Sequence, residues 1–110
     1  MSNGVSIVAM ITNASVTRLG LSVGKAATAV IKASSVLLMV GVAQLSARNQ
    51  LSGKVKSVQD GAVNSEVTLE LTGGVELVAT ITVTSRKSLG LAVGSDATAI
   101  IKATSVLVAV

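Results

Sequence analysis

Three short corners of this chain combine cations, hydroxyls and small residues without a single carboxylate. Ser46-Ala47-Arg48-Asn49 offers a hydroxyl, a guanidinium and successive backbone N–H groups. Lys32-Ala33-Ser34-Ser35 and Lys102-Ala103-Thr104-Ser105 each offer an ammonium, two hydroxyls and the N–H groups of a bend. Thr12 and Thr82 add one hydroxyl each, at the end of apolar segments. Successive N–H groups in a bend form a concave nest for anions, and charged donors strengthen it. Taken singly, each feature has an ordinary role: a solvated lysine, a turn serine, a helix-capping threonine. Taken together, and with two of the corners duplicated, they point to the binding of a small anion.

Other chemistries fit poorly. The chain has no His and no Cys, so it lacks the usual metal ligands and nucleophile–base pairs, and no metal is expected. Its five carboxylates sit beside Thr, Ser and strand residues, as on a solvated surface; no enzyme is expected. Nine basic against five acidic residues give a net charge of +4, which suits nucleic acid, anionic lipid or a small anion. The basic residues are scattered singly, which weakens the first two. Single-strand binders stack bases on aromatic side chains at roughly 1–3 kcal/mol per base. With no Phe, Tyr or Trp, nucleic acid is not expected as a partner. No apolar run reaches membrane-spanning length and the start lacks the flank of a secretory signal, so no membrane partner and a cytoplasmic location are expected.

The corners belong to a repeat. Residues 4–40 and 74–110 align without a gap at an offset of 70, and 22 of the 37 positions are identical. Such a duplication defines the structural unit: a partial unit over 1–41 with the last three strands, and a complete one over 45–110. A core of Val, Ile, Leu and Ala without aromatics favours β-structure. Strands are predicted over residues 5–12, 26–32, 36–40, 54–59 and 65–71. In the last of these, Val67, Leu69 and Leu71 alternate with Glu66, Thr68 and Glu70. Ser15 is predicted to cap a helical turn over 16–19 that Gly20 ends. Asp60-Gly61 and Gly73-Gly74 mark turns. The fold class is therefore all-β: an OB-like, five-stranded antiparallel barrel with a helical turn after the third strand. The partial unit would expose sheet edges, which suggests the tail of a longer two-unit protein whose edges a partner covers.

Ser46-Ala-Arg-Asn-Gln-Leu-Ser-Gly53, Gly61-Ala-Val-Asn64, Leu89-Gly-Leu91 and Ile101-Lys-Ala-Thr-Ser-Val106 stand here in the order of the molbindin (Mop) family. The chain resembles that family, whose module also forms the TOBE-type effector domains of molybdate-responsive repressors and of some oxyanion-transport ATPases. The resemblance implies an OB-like barrel that exchanges strands with its neighbours and binds molybdate or tungstate in the cytoplasm, with no cofactor. It implies a homo-oligomer, a trimer or a hexamer-like ring of modules. One type of site would use Ser46, Ala47 and Arg48 of one module. Opposite would stand Thr82 with Lys102, Ala103 and Thr104, or Thr12 with Lys32, Ala33 and Ser34, from a neighbour. A second type of oxyanion site would use Gly61, Ala62, Val63 and Asn64. The partial unit has neither a Ser-Ala-Arg-Asn nor a Gly-Ala-Val-Asn segment, so two Lys-Ala-Ser/Thr corners share one arginine corner.

The implied ligand suits the donors. Molybdate is a dianion without a proton at neutral pH, so its site needs donors alone. Hydrogen phosphate would leave its proton unpaired there, at a cost of ~1–3 kcal/mol. About six charge-assisted donors at ~1.5–3 kcal/mol each give a gross gain of order 10 kcal/mol. Desolvation and ordering reduce this to roughly micromolar affinity. The function expected is storage or homeostasis of molybdate, with tungstate as competitor; the alternative is an effector-sensing domain of a repressor or transporter.

Overall fold

The computed structural model describes residues 5–41 and 45–110. In chain order the elements are α1 (Asn13–Leu19), β1 (Thr28–Ile31), β2 (Leu37–Met39), β3 (Asn49–Asp60), β4 (Asn64–Leu71), β5 (Glu76–Thr82), α2 (Val83–Leu89), β6 (Asp96–Ile101) and β7 (Val106–Ala109). Single 3-10 turns, Ala33–Ser35 and Ala103–Ser105, join β1 to β2 and β6 to β7.

Five strands form one antiparallel sheet in the order β2-β6-β3-β4-β5. Its rim strands approach each other: β2 and the turn before it pack against β5, which curls the sheet towards a barrel. β3 makes this possible. Its first half pairs with β6, from Asn49↔Ile101 to Lys54↔Asp96, and its second half with β4. A bulge between Val55 and Ser57 lies where it changes partner, and bulges sharpen the local twist. Gly53 sits at this crossing because a Cβ there would lie 2.5 Å from the Glu70 carbonyl.

The five-stranded sheet is not made from one copy of the repeat. β2, from the first copy, pairs with β6 of the second, while β7, from the second, pairs with β1 of the first. The registers are the same under exchange: Thr28↔Ala109 maps, at an offset of 70, onto Thr98↔Met39. Each copy's last strand therefore completes the other's sheet, so the strand exchange expected between modules occurs within one chain. The core is accordingly shared. Val36 and Val106, equivalent in the two copies, are both about 1% exposed, packed with Val55, Val67, Leu69, Leu91, Ala99 and Ile101. Small branched residues fill it without aromatics, as the composition requires.

Three local expectations are corrected. Ser15 does not cap the first helix; Thr12 does, its Oγ1 accepting from the Ser15 N–H at 3.1 Å, and Thr82 caps α2 in the same way through Ser85 at 3.0 Å. The first long strand begins at Asn49 rather than at residue 54, because the polar lead-in is the half that pairs with β6. Residues 5–12 form no ladder strand, although their equivalents form β5. β5 is held by β4, and among the described residues no strand stands beside 5–12 in that way. Gly20 and Gly90 end both helices at φ 65° and 66°, as expected of left-handed stops. Part of the junction read over 41–46 lies outside the described residues.

Candidate anion-binding site

Each 3-10 turn projects from the end of a strand and places a Lys at its entrance. The Ser35 and Ser105 N–H groups close back onto the Lys32 and Lys102 carbonyls at 2.9 Å. In so tight a turn the first N–H groups have no acceptor within it, so those of Ala33, Ser34, Ala103 and Thr104 face away from its bonds. Ala103 is buried and Thr104 exposed, whereas Ala33 is half-buried and Ser34 exposed.

Strand exchange decides what lies opposite each turn. Ser34 lines a cavity of about 550 Å³ together with Asn64, Thr80, Thr82 and Ser85, above an apolar floor that includes Val36, Leu38 and Leu89. No carboxylate lines it. The other turn meets the first copy: the Met10 N–H donates to the Ala103 carbonyl at 2.9 Å, two residues before the Thr12 cap. Thus the Ser34 corner stands with Thr82, and the Lys102-Ala103-Thr104 corner lies alongside the segment that ends in Thr12. This is the reverse of the grouping expected from the sequence, and the exchanged strands are the reason.

The Ser46-Ala47-Arg48 corner lies directly before β3. The last β3–β6 pair is Asn49↔Ile101, so Arg48 and Lys102 are the next residues along the two chains beyond it. Three cations elsewhere are held by acids: Lys54 bonds Asp96 at 2.8 Å, Lys56 bonds Glu76 at 2.6 Å with Glu70 at 3.8 Å, and Arg86 holds Asp60 at 2.6 Å. Among the described residues, Arg48, Lys32 and Lys102 form no such ion pair, and neither do Arg18, Lys25 and Lys87. Cations, hydroxyls and turn N–H groups without a carboxylate make a donor-only set, which suits an anion that carries no proton.

The two copies differ here. Lys102 follows a strand paired with β3, whose preceding residue is Arg48, whereas Lys32 follows β1, which among the described residues pairs with β7 alone. The chain therefore presents one corner with two cations and one with a single cation.

Gly61, Ala62 and Val63 make the loop between β3 and β4, and Asn64 begins β4, its carbonyl accepting from the Gly61 N–H at 2.8 Å. All four are exposed. Gly61 and Asn64 line a depression of about 250 Å³ with Gln59, Asp60, Ser65 and Glu66. Two carboxylates make this a poorer place for a dianion, although Arg86 grips Asp60 through Nε at 2.7 Å and Nη2 at 2.6 Å. That guanidinium holds Asp60 below its ordinary 3.8; the nearby Ser65 hydroxyl acts in the same direction, although it is not placed to form a regular bond.

Two residues matter here beyond the expected site: Ser85, which no motif singled out, and Asn49, which the arginine corner contained without a side-chain role. Ser85 takes a hydrogen bond from Thr82 Oγ1 at 2.8 Å, which leaves its own hydroxyl proton to donate into the cavity. Asn49 is buried and its carboxamide clamps Val8, accepting from the N–H at 2.7 Å and donating to the carbonyl at 2.8 Å. It ties the first copy to the start of β3, next to Arg48. A Ser three residues after a capping Thr was visible in the sequence; a contact across 41 residues was not.

Residues 1–38 and 45–108 match the TOBE domain. The chain is 46% identical over 105 residues to the molybdenum transport protein ModE of Azotobacter vinelandii, covering 94% of this chain and 39% of that protein. It is 51% identical over 67 residues to a probable molybdenum-pterin-binding protein of Haemophilus influenzae, covering 61% of this chain and 97% of that one. It thus spans about two fifths of the first relative and nearly all of the second. Among solved structures it is similar to the cytoplasmic molybdate-binding protein ModG in a form with molybdate bound. The TM-score is 0.96 at 44% identity, over 99% of this chain and 79% of that one. With its exchanged OB-like sheet and duplicated donor corners, the chain belongs to the TOBE-domain family.

Proposed function

We propose that this chain binds molybdate as a free dianion in the cytoplasm, with tungstate as a close competitor, and serves storage or homeostasis of the metal rather than catalysis. What supports the reading is the β3–β6 register, whose last pair Asn49↔Ile101 leaves Arg48 and Lys102 as the next residues along the two chains, neither in an ion pair while four of the five acids are taken by other cations. Arg48 and Lys102 supply charge, Ala103 and Thr104 backbone N–H groups, and Ser46, Thr104 and the Thr12–Ser15 cap hydroxyls. Lys32, Ala33 and Ser34, with Thr82, Ser85 and Asn64, form a second and weaker corner of the same kind. The likeness to ModG supports the ligand, since a molybdate-bound protein shares the fold at close superposition.

The loop of Gly61, Ala62, Val63 and Asn64 contributes only in an assembly, where N–H groups from several chains would converge and outweigh Asp60 and Glu66. We read the unit over 45–110 as complete and that over 1–41 as partial, with homo-oligomerisation covering apolar surface such as Val30 and Leu37. Titration calorimetry with molybdate, tungstate, sulfate and phosphate tests the reading. Saturable micromolar binding of the first two, and binding of phosphate at least tenfold weaker, is expected. Absence of heat with molybdate, or equal affinity for phosphate, overturns it.

A further inference from the structure

The segment that leads into the first helix touches both parts of the proposed two-cation corner. Val5, Ile7, Ala9 and Ile11 are buried or half-buried along it, while Ser6, Val8, Met10 and Thr12 are exposed. That period of two belongs to extended chain. No strand pairs with the segment among the described residues, so other groups hold its main chain. The Asn49 carboxamide accepts from the Val8 N–H at 2.7 Å and donates to the Val8 carbonyl at 2.8 Å. The Met10 N–H donates to the Ala103 carbonyl at 2.9 Å. Val8 and Met10, two residues apart, turn their main chain to the same side, towards the start of β3 and the second 3-10 turn. Two residues of chain span no more than about 7 Å, so Asn49 and Ala103 are tied to points a short, fixed distance apart.

At each end the bonds set a direction. Main-chain pairing with Ile101 already places Asn49 in the ladder, so its side chain has a separate task. Asn49 is 2% exposed, and a buried carboxamide is costly unless it is hydrogen-bonded; Val8 supplies both a donor and an acceptor. Arg48 is the adjacent residue, so the arginine leaves β3 from a position held by the ladder and by the segment together. At the turn, the Ala103 carbonyl accepts from the Val106 N–H as well as from Met10. The peptide group is planar and trans, so the Thr104 N–H points opposite to that carbonyl. Fixing the carbonyl therefore aims one of the N–H donors assigned to the anion. Two residues beyond Met10, Thr12 carries the capping hydroxyl of α1. The second copy is built differently: β5, the equivalent segment, is paired with β4 from Glu76 to Thr82.

We propose that residues 8–12 act as a strap that sets the spacing of the donors in the two-cation corner, with Asn49 as its positioning residue. Asn49 touches no ligand. It acts through Val8, holding the strap so that the Thr104 N–H, the Thr12 hydroxyl and the Arg48 main chain keep one arrangement. The role presupposes the anion reading above and adds to it the group that fixes the corner's shape. Because three hydrogen bonds rather than a ladder hold the strap, its hold can be cut at one residue without breaking the sheet. If strap and donors are coupled, a bound dianion steadies the strap as much as the strap steadies the site.

The test combines calorimetry and residue-by-residue hydrogen exchange on the whole chain, with sodium molybdate as the probe. Asn49→Leu keeps the buried volume and removes both bonds to Val8. It is expected to raise the molybdate Kd roughly tenfold, while exchange along β3 and β6 stays slow. In the parent, exchange at Val8 and Met10 is expected to slow further when molybdate saturates the site; a purely structural clamp would not make those two amides respond to the anion. If Asn49→Leu does not fold, the response of the parent decides. An unchanged affinity in folded Asn49→Leu overturns the proposal, as does exchange at Val8 and Met10 that is indifferent to molybdate in a parent that binds it. A parent that gives no heat with molybdate overturns the anion reading, and this role with it.

Discussion

Lys32 and Lys102 occupy equivalent places in the repeat, each at the entrance to a 3-10 turn, yet removing them should have unequal effects. Both side chains are exposed and neither has an ion-pair partner among the described residues. Lys→Met at either site should therefore leave stability within about 0.5 kcal/mol of the parent. Binding should divide them. In the proposed site the Lys102 ammonium would share a dianion with Arg48 and the turn's N–H groups, and one charge-assisted hydrogen bond contributes about 1.5–3 kcal/mol. Its loss converts to a Kd raised roughly 10- to 150-fold. Lys32 stands at a corner without an arginine, so Lys32→Met should change the tight site less than about threefold. Calorimetric titration of both variants with molybdate, at one salt concentration, reads the ratio. Equal losses, or a larger loss at Lys32, would refute the claim that Arg48 distinguishes the two corners.

Two further outcomes follow from the fold. Val36→Ala removes two methyl groups from a core position supplied by the exchanged copy, and should lower unfolding free energy by about 2 kcal/mol in denaturant melts; a neutral result would mean that β2 and its turn do not seal the sheet in solution. Because Arg86 depresses the Asp60 pKa below its ordinary 3.8, the stability this pair contributes is complete above the unfolded value and drains as pH falls through the folded one. Asp60→Asn should therefore flatten the acid limb of a stability–pH profile and leave the neutral region little changed for so exposed a pair; an unchanged acid limb would contradict it.

Much of the architecture was legible in the residues. The offset of 70, the Val67–Leu69–Leu71 alternation and the glycines at helix ends each mark local structure, and local rules govern them. The cap was misplaced because Thr12 and Ser15 are both good caps three residues apart, and only the direction of one hydrogen bond separates them. β3 looked shorter than it is because its polar first half is stabilised by β6, some 45 residues away. Which copy completes which sheet was not legible at all. The two copies carry nearly the same strands, so sequence alone assigns equal pairing to either partner, and chain connectivity decides. The same ambiguity reversed the grouping of Thr12 and Thr82 with their turns. The donor-rich corners are visible as residue types, whereas the relation of Arg48 to Lys102 follows only from the β3–β6 register.

The most direct measurement is an anomalous difference map, at a tungsten absorption edge, from crystals grown with tungstate. A peak bounded by the Arg48 guanidinium, the Lys102 ammonium and the N–H groups of Ala103 and Thr104 is the expected result. Tungsten found only at the Gly61–Asn64 loop, or nowhere near either Lys-Ala-Ser/Thr turn, would contradict it.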